Sequence, residues 1–197
     1  MSPIIEISGI RIRRAIVPVK RVLNTRVGRF TKGPFLLIDL ELKGGGAGRV
    51  LGFTFVPIGL EVVPILLEDL ATSLKGRKIS FAEMGAVHDA CQKRLTHMGH
   101  EGVAQMALSM LDMALHDALA REAGVPLWKL LGGSNDSLPT YHSCGLGIAA
   151  PADVAREAKE MLAEHGGFTH MKLRMGRNDA AGEVAAYKAV RSAIGPD

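Results

Sequence analysis

Lys172 and Arg174 stand two residues apart in a short apolar run, Phe168 to Met175. In an extended strand, residues two apart point to the same side, so both cations can face one site. The chemistry open to such a pair is the holding of an anion, above all a carboxylate. Lysine adds a second option, because neighbouring cations and loss of water lower its pKa toward neutrality and let it act as a base. The guanidinium of Arg174 stays protonated in almost every environment, which makes it a poor proton acceptor and a good two-pronged clamp. The plain alternative is two charges that end an exposed strand.

Tyr141, His142 and Ser143 close an earlier apolar run, Leu138 to Ser143. A hydroxyl there can donate one hydrogen bond, although a serine at a strand end is more often structural. His88, His97, His100 and His116 invite a metal reading, since His97 and His100 lie one helical turn apart. Two ligands do not make a site, and no carboxylate or cysteine stands at ligand spacing beside them. Asp112 and Asp117 read as helix-surface or cap partners, and Met106, Met110 and Met113 at helical spacing as core filling. Cys91 and Cys144 are too far apart to suggest a ligand pair or a disulfide framework and read as free thiols of a reducing, cytoplasmic setting.

The elements that must position these residues fall into two textures. Ile5, Ile7, Ile10, Ile12 and Val17 suggest one long strand with a bulge at Ser8 and Gly9, ending at Pro18. Val19 to Gly33 has no sustained period and reads as a long loop. Phe35 to Leu42 and Arg49 to Phe55, separated by Gly44, Gly45 and Gly46, form a hairpin pattern. Helices are expected over Gly59 to Lys75, Ser80 to Leu95 and Glu101 to Ala123, the second opened by a capping box of Ser80 and Glu83 and the third stopped by Gly124. After Gly133 short strands alternate with amphipathic helices: Leu138 to Ser143, Pro151 to His165, Phe168 to Met175 and Asp179 to Ile194. That is the pattern of βαβ units on a parallel sheet.

Composition excludes several classes. With 197 residues, 47% hydrophobic and 22% charged, the chain can bury a real core. No apolar run is long enough to span a bilayer, no signal peptide is visible, and no membrane partner is expected. The net charge of +4 is local: up to residue 32 there are eight basic residues and one acid, Glu6. A basic patch can bind nucleic acid. Arg11 and Arg13 alternate with Ile10 and Ile12, however, as the solvent face of a half-buried strand does, so no nucleic acid is expected.

The stretch Ala107 to Gly133, Ala-Leu-Ser-Met-Leu-Asp-Met-Ala-Leu-His-Asp-Ala-Leu-Ala-Arg-Glu-Ala-Gly-Val-Pro-Leu-Trp-Lys-Leu-Leu-Gly-Gly, closely resembles the signature of the mandelate racemase and muconate lactonizing enzyme family, within the enolase superfamily. The likeness runs on through Phe35 to Leu40, Val56 to Asp69 and the segments after Gly133. It implies an α+β capping domain over residues 1–133, followed in 134–197 by the first two β/α units of a modified (β/α)₈ barrel, an incomplete one, so that the chain reads as a fragment. In the family a magnesium ion holds the substrate carboxylate and stabilises the enediolate formed when the α-proton leaves, and a lysine or histidine is the base. Mg²⁺ is therefore expected for the full-length parent, with ligands beyond Asp197 and none bound by this chain alone.

The same resemblance supplies roles. The family pattern is Lys, any residue, Lys: the first binds and polarises the carboxylate, the second is a base. Lys172 and Arg174 match it with a departure at the second position. Ser143 matches a serine that touches the substrate carboxylate, and Tyr141 stands beside it. Leu23, Thr25 and Phe30 fall on the loop that covers the active site in relatives, and Phe55 on the second such loop. Phe30 and Phe55 would give an apolar lid, while Arg26 and Arg29 would attract a second acidic group or remain solvated. The expected function is that of the front part of an isomerase or lyase acting on a small-molecule hydroxy carboxylate by racemisation or dehydration, in a parent expected to be a homo-oligomer. The competing reading is a noncatalytic truncated domain with a folding or association role.

Overall fold

The computed structural model describes residues 3–134, 137–164 and 167–195. His165, the expected last residue of one helix, lies outside them. The described chain falls into two compact units: one comprises the chain up to Val17 and from Gly33 on, the other Pro18–Lys32 and the chain from Ser137 on.

Four strands, β1 (Ile4–Thr25), β2 (Gly28–Leu42), β3 (Ala47–Phe53) and β4 (Lys78–Ser80), lie in the order β3-β2-β1-β4, and the end of β1 and the start of β2 fall within Pro18–Lys32. β2 and β3 pair antiparallel from Phe35↔Phe53 to Glu41↔Ala47, and Ile4 to Glu6 of β1 pair with Ser80 to Lys78. Alternate residues of β2, namely Leu36, Ile38 and Leu40, are fully buried together with Ile5 and Ile7 of β1. They form a core with Leu67 and Leu70 of α1 (Gly59–Leu74) and Leu111, Leu115 and Leu119 of α3 (Val103–Glu122). Burial of these aliphatic side chains, about 2 kcal/mol each, is what holds helices to sheet. α2 (Met84–Arg94) is preceded by a 3₁₀ turn, Phe81–Glu83, where the Ser80 N–H donates to Glu83 Oε2 at 2.8 Å as the capping-box spacing requires. α3 ends on Gly124 at φ +65°, with Gly124 N–H bonded to Arg121 O and Val125 N–H to Ala120 O, the paired bonds of a Schellman motif. A single turn, α4 (Leu127–Leu130), follows.

Several charges explain the basic start of the chain. Pro64 lies inside α1 and has no N–H for the carbonyl of Leu60 four residues earlier. Arg14 Nε donates to that carbonyl at 2.7 Å instead. Asp39, buried between Ile38 and Leu40 but on the opposite face of β2, meets Arg13 Nη2 at 2.9 Å, Arg49 Nε at 3.3 Å and Arg11 Nε at 3.6 Å. These arginines are thus occupied by an internal carboxylate.

Three expectations are corrected. Val19 to Gly33 is not a loop: β1 continues to Thr25 and β2 starts at Gly28, leaving a two-residue turn at Arg26 and Val27. The basic residues hid the extended propensity of Val17, Val19, Val22 and Thr25. Pro18 lies inside β1, beyond Ile4 to Glu6, the residues that pair with β4. Leu138 to Ser143 and Phe168 to Met175 are extended but not a strand ladder: they share one parallel bridge, His142↔Met171. No further strand pairs with either segment among the described residues. Met113, expected in the core with Met106 and Met110, is exposed.

In the second unit the bridged segments carry α5 (Pro151–Leu162) and α6 (Ala180–Ile194). Leu146, Val154, Ala158, Met161, Ala186 and Val190 form its small core. Asp179 caps α6, its carboxylate accepting from Gly182 N–H at 2.5 Å. No described helix is long and apolar enough to cross a membrane.

Candidate functional site

The bridge that joins the two extended segments sets the positions of the cations. His142 N–H donates to His170 O at 2.8 Å, and Lys172 N–H donates to His142 O at 3.0 Å. Arg174 N–H then donates to Leu146 O at 3.0 Å. The Arg174 guanidinium reaches back, Nη1 donating to Gly145 O at 2.8 Å and to Ser143 O at 3.2 Å. Ser143 and Arg174 are therefore brought together, with the backbone of the serine engaged. The Lys172 side chain is exposed and makes no hydrogen bond or ion pair among the described residues. Tyr141 is exposed as well.

The tip of the β1–β2 hairpin belongs to the same unit. Asn24 O accepts from Ile148 N–H at 2.8 Å, so its neighbours Leu23 and Thr25 lie at the segment that follows Ser143. Thr25 Oγ1 donates to Gly28 O at 3.0 Å across the turn, and Arg26 Nη1 donates to Asn178 Oδ1 at 3.0 Å. A cavity of about 480 Å³ lies among Thr25, Arg26, Ile148, Ala149, Gly176 and Asn178. Phe30 is half-buried on the returning strand.

Sequence reasoning missed the polar group that fastens this hairpin. Glu164 accepts from Arg21 Nη2 at 2.6 Å, Lys20 Nζ at 2.7 Å and His142 Nε2 at 3.2 Å. Cys144 N–H donates to His142 Nδ1, so Nε2 carries the proton that His142 gives to Glu164. The Arg21 guanidinium first, then Lys20 and His142, hold the Glu164 carboxyl far below the usual carboxylate range. A carboxylate whose pKa is lower folded than unfolded adds stability above its ordinary value, near 4.5, and that stability fades as the pH falls. Between about pH 5 and pH 3 the chain should therefore lose stability faster than its Glu164→Gln variant, by urea midpoints at each pH. Parallel loss in both proteins would remove Glu164 from the account.

Phe55, in the other unit, occupies a strained turn. Its φ is +61°, and Val56 N–H bonds to Thr54 O at 2.6 Å, which closes a three-residue γ-turn. Buried Thr54 fixes it: the hydroxyl lies 3.1 Å from Val56 O, and a Cβ on Gly59 would come within 2.6 Å of Thr54 Cβ. The Phe55 ring, exposed, sits 4.6 Å from that of Phe53 and borders an apolar cavity of about 530 Å³. A phenylalanine held at positive φ marks a position where the surroundings dictate the backbone.

Among the described residues no group of three or more His, Cys, Asp or Glu side chains is placed to hold a metal ion. The described residues do not offer a ligand set for a magnesium centre. Cys91 and Cys144 are free thiols, the first buried and the second exposed. Asp117 accepts from Arg49 N–H at 2.7 Å and from Arg121 at 2.6 Å, and Asp112 lies 3.3 Å from His116, both as helix-surface partners.

The fold agrees with that of known proteins. The 3,6-anhydro-alpha-L-galactonate cycloisomerase of Streptomyces coelicolor is 32% identical over 179 residues, covering 88% of this chain and 48% of that protein. The L-talarate/galactarate dehydratase of Salmonella typhimurium is 25% identical over 199 residues, covering 98% and 49%. A solved enolase from Bradyrhizobium, complexed with magnesium and mandelic acid, superposes with a TM-score of 0.85 at 33% identity, over 100% of this chain and 53% of that one. The chain thus spans about half the length of the relatives it matches. Residues 8–132 match the profile of the mandelate racemase / muconate lactonizing enzyme N-terminal domain, and the chain belongs to that family of the enolase superfamily.

Proposed function

We propose that residues 1–133 act as the capping domain, and 134–197 as the opening β/α units of a barrel, in an enzyme that removes the α-proton of a hydroxy carboxylate. What supports this reading is that Arg174 reaches the carbonyl of Ser143, on a segment that also bonds the backbone of Lys172 at His142 and that of the hairpin at Asn24. Lys172, uncommitted, binds the substrate carboxylate. Arg174 is held by two carbonyls and keeps its charge, so it stabilises negative charge and takes no proton. Ser143 and Tyr141 donate to substrate oxygens, and Leu23, Thr25 and Phe30 line the cover. Magnesium is proposed for the whole protein only, with its ligands outside this chain.

With no base at Arg174, one face of the α-carbon lacks a proton acceptor, and the chemistry is one-sided, as in a dehydration begun from the other face. The test is deuterium uptake from heavy water by the full-length protein, with each enantiomer of mandelate and with galactarate followed separately. One-sided exchange is expected, and Arg174→Lys should raise exchange for the disfavoured mandelate enantiomer. Equal, rapid exchange from both mandelate enantiomers in the unmutated protein would overturn the role of Arg174. No exchange with any α-hydroxy acid would favour the noncatalytic reading.

A further inference from the structure

Leu146 has a φ of +51° and no exposed surface. A leucine in the left-handed region costs on the order of 1–3 kcal/mol and persists only where its surroundings over-determine it. Its N–H donates to Glu157 Oε2 at 3.1 Å, and its carbonyl accepts from Arg174 N–H at 3.0 Å. Its side chain is enclosed by the core that Val154, Ala158 and Met161 share. The residues on either side are glycines for want of room: a Cβ at Gly145 would lie 2.7 Å from Met161 Sδ and 2.9 Å from Glu157 Oε1, and one at Gly147 would lie 2.9 Å from both N and O of Asn24.

The second oxygen of Glu157 faces Arg21 Nε at 3.4 Å, and both side chains are mostly shielded from solvent, at 15% and 23% exposure. Arg21 sits on the hairpin, three residues before Asn24. From these contacts we infer that Glu157 is a positioning residue, tying Arg21 of the hairpin to the amide of Leu146 and so holding the turn whose carbonyls seat Arg174. The same turn carries Gly147 and Ile148 against Asn24, so it sets the hairpin tip and the strand-end cation together. Its bearing on turnover rests on the proposed roles of Lys172 and Arg174; the mechanical coupling does not.

Amide hydrogen exchange, read by NMR on the 197-residue chain, tests the coupling with two variants. Glu157→Ala removes both contacts. Glu157→Gln keeps a carbonyl oxygen for Leu146 N–H and removes the charge facing Arg21. The expected result is exchange at least about tenfold faster at Leu146, Ile148 and Arg174 in Glu157→Ala, with Val190 of α6 little changed. Most of the protection at Leu146 should return in Glu157→Gln. A merely structural residue would speed Val190 equally, and that outcome, or no change at the three amides, or a Glu157→Gln as labile as Glu157→Ala, overturns the inference. Selective exchange with a full-length enzyme indifferent to Lys172 would discard the catalytic reading and keep the coupling; uniform exchange with a lysine-dependent enzyme would do the reverse.

Discussion

Gly48→Ala is expected to destabilise the chain by about 3 kcal/mol, through overpacking against a backbone that cannot move aside. A Cβ at Gly48 would stand 1.9 Å from the carbonyl oxygen of Ala114 and 2.8 Å from Ala118 Cβ, so β3 and α3 touch there through their main chains. Relief would require the whole of α3 to lift, and α3 supplies Leu111, Leu115 and Leu119 to the core. Gly85 in α2 is the control: nothing lies within 4 Å of its added Cβ, and Gly85→Ala should be neutral or stabilising by about 0.5 kcal/mol. Urea midpoints of the two variants measure the difference. A Gly48→Ala cost below about 0.5 kcal/mol would mean the strand and helix are not in main-chain contact.

Lys172→Ala carries the opposite signature. Its side chain is exposed and has no partner among the described residues, so the substitution should change stability by no more than about 0.5 kcal/mol. In the full-length protein the same change should lower kcat/KM by about 100-fold, near 2.7 kcal/mol, because a charge that meets the substrate carboxylate and its developing negative charge is lost. The measurements are a steady-state assay and a urea titration on one preparation. Turnover within about threefold of the unmutated protein would strip Lys172 of its role.

Local pattern made much of the fold legible. Helical spacing placed α1, α2, α3, α5 and α6 to within a few residues, and Ser80 with Glu83 and Gly124 marked helix ends, because those features depend on neighbours in the chain. What stayed hidden depends on partners far along it. No local signal says that Arg14 fills the gap left by Pro64, or that Glu164 gathers Arg21 and Lys20. The left-handed turns at Phe55 and Leu146 were equally silent, since neither residue type favours that conformation and only the packing around them imposes it. Of the site, the spacing of Lys172 and Arg174 was readable; the capture of the arginine by the carbonyls of Ser143 and Gly145 was not.

The hairpin made by the ends of β1 and β2 also has a timetable. Its contacts in the second unit span very long stretches of chain: 143 residues from Arg21 to Glu164, 144 from Lys20 to Glu164 and 152 from Arg26 to Asn178. Closing a loop ten times longer than a local one costs roughly 2 kcal/mol more in chain entropy, and such closures are slow. At roughly 5–20 residues per second, a ribosome needs about 7–30 s after making Arg21 before Glu164 exists. Through that interval the hairpin lacks the Glu164 and Asn178 side chains that it binds in the folded chain. The hairpin is thus made well before the residues that fasten it.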